Sequence, residues 1–401
     1  MIDFLFPLVL GEVVLGGGGR TFSIGAVSLR MLLFAAGLVA TLVGMMTTSA
    51  RRDGLATANL LVLAFFASVL PGLLVDASRG TPAQIVSLQL QPLLFWLSAP
   101  FFALALQDVR TVQKAAVIII FGGLIVSVGT LFLTIGLYVG FVDFGSLYLW
   151  SERTGELFFR GFTNFFYKGH FFVGVALIFS VVLTPRWWKT MSGVLALSLA
   201  LSLTRGLYLA VAIGLVLSFF SAKRQVAMLF VILGAVIGVG IYGQAIADVI
   251  FDPTRVSSSL TRSRDLYFFL ATFDYNTLLF GEGTGILLNG RSNVENSFLW
   301  ALWRFGILGL SFMFLPLLMC VRYFSQIPND DEHHRLASAF FFGVVMLYVV
   351  TAFNPFVNNS IGLTYLLCAI FSLRRLGRNA ALAPPSAQPL QVHPTVVGIA
   401  A

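Results

Sequence analysis

Runs of about 18 or more apolar, nearly uncharged residues recur in this chain from its first third to its last, and a run of that length crosses the hydrocarbon core of a bilayer as one helix. The 401 residues are 58% hydrophobic and 10% charged, whereas a soluble globular domain carries about 25% charged residues. Soluble, disordered, collagen-like and disulfide-scaffold classes are thereby excluded, and the fold class is all-α, polytopic and membrane-embedded.

Hydropathy predicts spans near 22–48, 55–75, 87–106, 115–139, 165–183, 187–204, 205–221, 226–247, 294–320, 336–353 and 359–373. An apolar stretch at 1–16 is a further candidate, giving 11 or 12 helices in one integral membrane domain over 1–378. The N-terminus lacks the basic flank of a cleavable signal and is expected to be retained. Residues 379–401, rich in Ala and Pro, read as a disordered tail. Cys320 and Cys368 both fall in apolar segments, so neither a disulfide framework nor a metal-ligand spacing is present.

Residues 187–221 can be read as one long helix or as a hairpin. The loop charges decide for the hairpin: Arg186 and Lys189 precede it, Lys223 and Arg224 follow it, and both clusters reach the cytoplasm only after an even number of crossings. That parity also sends Arg51, Arg52, Arg110, Lys114, Arg322, Arg335, Arg374, Arg375 and Arg378 to the cytoplasmic side, and the C-terminus with them.

The other cations are Arg20, Arg30, Arg79, Arg153, Arg160, Lys168, Arg205, Arg255, Arg262, Arg264, Arg291 and Arg304. Most lie on or beside two long outer segments, about 140–168 and 248–293, and the hairpin tip between them. Solvated loop arginines are one reading of this excess. Arg205, Arg304, Lys168 and His170, however, enter or interrupt apolar segments, where ionisable groups are costly and usually face a partner or a polar cavity. Arginine binds phosphate oxygens through paired, charge-assisted hydrogen bonds, so a cluster at the membrane boundary suits a lipid-linked diphosphate. Nucleic acid is not an expected partner. The aromatic and basic stretch 158–167 suits interfacial anchoring or stacking on sugar rings.

Ser202-Leu203-Thr204-Arg205-Gly206 resembles the hairpin-tip motif of the bacterial O-antigen polymerase and O-antigen ligase superfamily. Arg264, followed by Leu279-Phe280-Gly281-Glu282-Gly283-Thr284-Gly285, is similar to that family's outer-loop element. Val294-Glu295-Asn296-Ser297-Phe298-Leu299, leading into Phe305-Gly306-Ile307-Leu308-Gly309, resembles its last outer helix start. The three follow in the family's order over roughly 165–373. The glycine run lacks the strand, helix and lysine of a nucleotide loop.

The resemblance implies an inverting, metal-independent glycosyl transfer on the periplasmic face of the inner membrane, with no cofactor. A polyprenyl-diphosphate-linked oligosaccharide is the implied substrate and a chain-length regulator an expected partner. Arg205 and Arg264 would stabilise the leaving diphosphate. Ligase-type relatives carry a histidine where this chain has Glu295, so a histidine mechanism does not transfer. A partly desolvated Glu can serve as general base instead, which tilts the reading from ligase to polymerase. The capping alternatives stay open: Glu295 also suits a helix N-terminus, and Asn296 suits a cap. Arg291, Lys168, His170, Arg160, Arg262 and Asn296 complete the candidate substrate contacts, with Arg304 open between internal pairing and substrate. Transfer of finished glycan to another acceptor, and transport of an anionic lipid-linked glycan, are the rival functions.

Overall fold

The computed structural model describes residues 1–24, 27–47, 54–159, 162–183, 187–221, 253–286, 294–329 and 333–382. The expected span at 226–247, together with Arg160, Arg291 and the tail beyond 382, lies outside them.

The described residues are overwhelmingly helical. In chain order the elements are α1 (Ile2–Leu15), a two-residue-per-strand hairpin β1–β2 (Ser23–Ile24, Val27–Ser28), α2 (Leu29–Thr47), α3 (Leu55–Ser78), α4 (Ala83–Leu90), a 3-10 turn (Leu93–Ser98), α5 (Ala99–Ala105) and α6 (Val109–Val139). There follow α7 (Phe144–Thr154), a short antiparallel hairpin β3–β4 (Leu157–Phe159, Phe165–Tyr167), α8 (His170–Leu183), α9 (Trp188–Leu201), α10 (Arg205–Ser221), α11 (Pro253–Thr272), α12 (Tyr275–Phe280), α13 (Ser297–Ser325), α14 (His334–Thr351) and α15 (Ser360–Leu382). The chain is an all-α polytopic membrane protein. Six of these helices are long and apolar enough to cross a bilayer unaided; α8, α9 and α10 are shorter apolar helices.

Several expected spans differ in detail. The 87–106 span is broken, with α4 and the turn leading into α5 meeting at a 50° bend. Pro92 at that break has no N–H to continue the ladder. The start of the expected 165–183 span is not helical: residues 165–167 pair as β4 and the helix begins at His170. The last helix runs to Leu382, four residues into the stretch assigned to the tail. Both long segments expected on the outer side contain helices, α7 in the first and α11 and α12 in the second.

The core is built where α8, α10, α14 and α15 pack together, with α1 and α6 beside them. Every described residue of α8 except Leu183 is buried, which is why its sequence is apolar all round rather than striped. Glycines permit the closest approaches: a Cβ at Gly343 would overlap the Tyr365 hydroxyl, and one at Gly214 would meet the Ile178 side chain. At one end of the bundle Gly54 approaches Arg374. At the other, the α9–α10 tip with Arg205, the starts of α13 and α15 and the end of α14 come together. This second end is called the Arg205 end below.

Candidate functional site

Two residues in the α9–α10 connection explain how Arg205 is presented. Leu203 takes φ +48°, the one non-glycine residue at positive φ among the described residues. A left-handed conformation at a Leu costs about 1–3 kcal/mol and persists only where the surroundings hold it. Thr204 then accepts, through its carbonyl, the amides of Leu207 and Tyr208, both at 3.1 Å. Its hydroxyl turns back to the Ser202 carbonyl at 3.0 Å and so does not cap the helix. The first amides of α10, those of Arg205 and Gly206, are therefore left without an intrahelical partner, at the positive end of the helix dipole.

Arg205 is half-buried, and its Nη2 is buried with no hydrogen-bond partner among the described residues. The neighbouring Ser202 hydroxyl is buried and unpartnered as well. Native proteins leave few such groups unsatisfied. A helix start, a guanidinium with unmet donors and a free hydroxyl together make an anion-binding arrangement.

The second motif folds against the third. The Gly281–Gly285 run wraps the outer part of α13, which is not one helix: Gly306 adopts φ +66°, ψ −159° and breaks it. The break frees carbonyls that a continuous helix would use, and the loop takes them up. The Glu282 amide donates to Trp303 O at 2.7 Å and the Gly283 amide to Arg304 O at 3.2 Å. No side chain fits at Gly281, where a Cβ would overlap the Arg304 backbone.

Below the loop lies a buried ionic cluster. Asp76, 3% exposed at the end of α3, accepts from the Thr284 amide (2.7 Å), the Thr284 hydroxyl (2.6 Å) and the Gly285 amide (3.0 Å). Arg304, 1% exposed, donates to the Thr284 carbonyl and stacks over Trp300, its guanidinium carbon 5.2 Å from the ring centre. Arg304 thus pairs inside the protein. Above it Arg79 joins Glu282 at 2.8 Å in a more exposed pair.

Asn296 caps α13, its side-chain oxygen accepting from the Phe298 and Leu299 amides at 3.0 Å each, so the capping alternative for this residue holds. Glu295, half-buried, directly precedes the cap. The starts of α10 and α13 meet the same end of α14: Gly206 abuts Phe353, and Phe298 lies 6.4 Å from Tyr348. On α11, Asp265 and Phe269 are buried, and Phe269 lies 5.7 Å from Trp303. Arg264 is exposed, and its side chain makes no hydrogen bond or ion pair among the described residues. For Arg262 only the backbone, within α11, is described.

Lys168 and His170 belong to a different cluster. Glu156 is fully buried and accepts from the Gly18 amide at 2.5 Å and the Arg20 amide at 2.9 Å. Burial pushes the Lys168 ammonium below the ordinary lysine range, with the Glu156 carboxylate pulling the other way. His170 is completely buried; Nδ1 accepts from the Tyr167 amide at 2.8 Å and Nε2 lies 3.2 Å from the Thr130 hydroxyl. Beside them Arg30 holds Glu12 through two donors, at 2.8 and 3.2 Å, and Ser360 at 2.7 Å. These contacts tie the N-terminal loop to the first outer segment and to α15. They leave His170 no open ring nitrogen for substrate.

Sequence reasoning passed over Asp76, Glu12 and Glu156. A carboxylate at the end of an apolar span needs a partner, and that signal was available for the first two.

No family model matches the chain. Across 356 residues it is 25% identical to a curated protein, the O-antigen polymerase of Shigella flexneri, covering 88% of this chain and 89% of that one. The likeness therefore extends over most of the length of both proteins. The chain is a polytopic membrane protein similar over most of its length to an O-antigen polymerase, the family whose motifs its three ordered elements resemble.

Proposed function

We propose that this protein is an inner-membrane glycosyltransferase that polymerises polyprenyl-diphosphate-linked oligosaccharide units at the periplasmic face. The observation that carries the reading is the state of Arg205, a guanidinium with unmet donors at an uncapped helix start. The relative's name, O-antigen polymerase, supports the same reaction. The orientation rests on the loop charges, which send the Arg205 end outward.

In this mechanism an acceptor-sugar hydroxyl attacks the anomeric carbon of a sugar on the lipid carrier, inverting it. The new C–O bond forms as the bond to the diphosphate oxygen breaks, and the diphosphate departs with the electron pair. Arg205, with the α10 amides, holds the diphosphate and stabilises the charge that develops on it. Glu295 accepts the hydroxyl proton. The helix starts beside these two residues, at Gly206 and Phe298, meet the same end of α14, which supports a shared site. On α11 Arg264 is available for phosphate. Arg262, on the same helix, is a second candidate. Asn296 orients the helix that carries Glu295.

The test is elongation of purified polyprenyl-diphosphate oligosaccharide by reconstituted protein, read as product length. Wild type should yield a ladder, and Glu295→Gln should slow it by about 10²–10⁴-fold. Consumption of carrier only in the presence of a separate lipid or protein acceptor would make the protein a ligase. Carriage of substrate across the membrane without chemistry would make it a transporter.

A further inference from the structure

The first outer segment carries a patch of exposed aromatic rings. Phe141 is 77% and Phe162 76% exposed, with Tyr148, Leu149 and Phe158 also open. The rings form a connected surface: Phe144 lies 4.9 Å from Phe162, 5.0 Å from Phe159 and 5.8 Å from Tyr148.

The position of α6 sets the depth of this patch. Its exposed residues Phe121, Ile125, Val128, Phe132, Ile135 and Val139 repeat every three or four positions, one unbroken stripe facing lipid. The helix has 31 residues, about 46 Å of rise, more than the roughly 30 Å hydrocarbon core. With Lys114 at one interface, about 20 residues of hydrocarbon end near residue 135. The chain then turns back instead of leaving: Gly140 takes φ +81° and the Val142 amide donates to Gly136 O at 3.0 Å. This returns the Phe141 ring to within 6.2 Å of Phe132, alongside the lipid-facing stripe. Phe141, three residues before Phe144 in the chain, thus lies against the face that the exposed α6 stripe offers to lipid. At the other end of α7, Glu152 and Arg153 are exposed and supply the charged end of an amphipathic element.

We propose that α7 and the flanking rings Phe141 and Phe162 are inserted into the bilayer leaflet at the Arg205 end, making the first outer segment an interfacial membrane anchor rather than an aqueous loop. The partner is a lipid surface. The anchor holds the β3–β4 hairpin, and through it Lys168 and Glu156, at headgroup depth. This inference stands apart from the proposed reaction.

The test uses full-length protein in phosphatidylethanolamine/phosphatidylglycerol vesicles with nitroxide labels at F141C, Y148C and F162C. Native Cys320 and Cys368 are both buried, so labelled wild type is the blank. F121C on the α6 stripe supplies the hydrocarbon reference and R153C the polar one. Relaxation by oxygen is compared with relaxation by a water-soluble nickel chelate. Labels at 141 and 162 should favour oxygen and report a depth of about 5–10 Å below the headgroup boundary, while 153 favours nickel. A nickel preference at 141 and 162 would overturn the proposal and make the patch a water-facing glycan platform. Shielding from both agents, with spin–spin broadening between labels, would overturn it in favour of a second copy of the chain.

Discussion

Arg205 and Arg304 lie at the same end of the bundle, and each leaves one buried guanidinium nitrogen without a hydrogen bond among the described residues, Nη2 in Arg205 and Nε in Arg304, yet only Arg304 donates to a protein carbonyl. Arg304 is enclosed by Asp76, the Thr284 carbonyl and the Trp300 ring. Arg205 has no hydrogen bond or ion pair of its side chain among the described residues and sits on a strained, uncapped turn. The residue type is the same, so it does not separate structure from chemistry here. Partners do: a cation that a carboxylate, a carbonyl and an aromatic ring already surround belongs to the scaffold, and one with none of them is the better candidate for an anion.

This contrast can be broken by substitution. Arg304→Ala should be the most damaging for folding, because removing one partner of a buried pair strands the other, at about 3–5 kcal/mol. Thermal unfolding in detergent reads the loss, and an Arg304→Ala protein as stable as wild type would erase the distinction. Arg205→Ala should leave the melting curve in place while cutting elongation about 10²–10³-fold, the range for losing one donor to a developing oxyanion. A collapse of stability in that variant would move Arg205 to the scaffold. Thr284→Val removes one of three donors to Asp76 and should cost about 1–2 kcal/mol of stability, with turnover falling only as far as folded protein is lost. Arg79→Ala breaks a pair whose arginine side chain is 43% exposed, and should cost at most about 1 kcal/mol. A larger effect would show the upper pair to be as structural as the lower.

What could be read in advance follows the same division. The spans were legible because apolar length and loop charge are local properties, and the α9–α10 hairpin was legible because parity requires it. The Gly306 break was not: glycine is common in apolar helices, and the reason for this break is the glycine loop that occupies the freed carbonyls. Lys168 and His170 look like substrate groups at a helix entrance in one dimension. In the fold both ring nitrogens of His170 are taken up, by Tyr167 and by Thr130 40 residues away, and Lys168 lies beside Glu156. Asn296 kept its capping role because a cap is again a local arrangement.

The Asp76 cluster also bears on how the protein is made. Its carboxylate and the Thr284 that holds it are 208 residues apart, a gap that takes about 10–40 s to synthesise at 5–20 residues per second. Through that interval α3 has been made with an acid at its end and without the Thr284 and Gly285 donors that hold it in the folded protein. An unpaired charge at that depth is costly, so α3 should first lodge with Asp76 raised to the interface and sink when the glycine loop arrives. A cysteine at Ser78 would then be open to aqueous thiol reagent in nascent chains stalled at residue 250 and protected in chains stalled beyond 330; equal labelling in both would exclude the delay. Biogenesis of this chain is in that sense a two-stage insertion, timed by the emergence of a loop rather than by the hydrophobicity of the helix it secures.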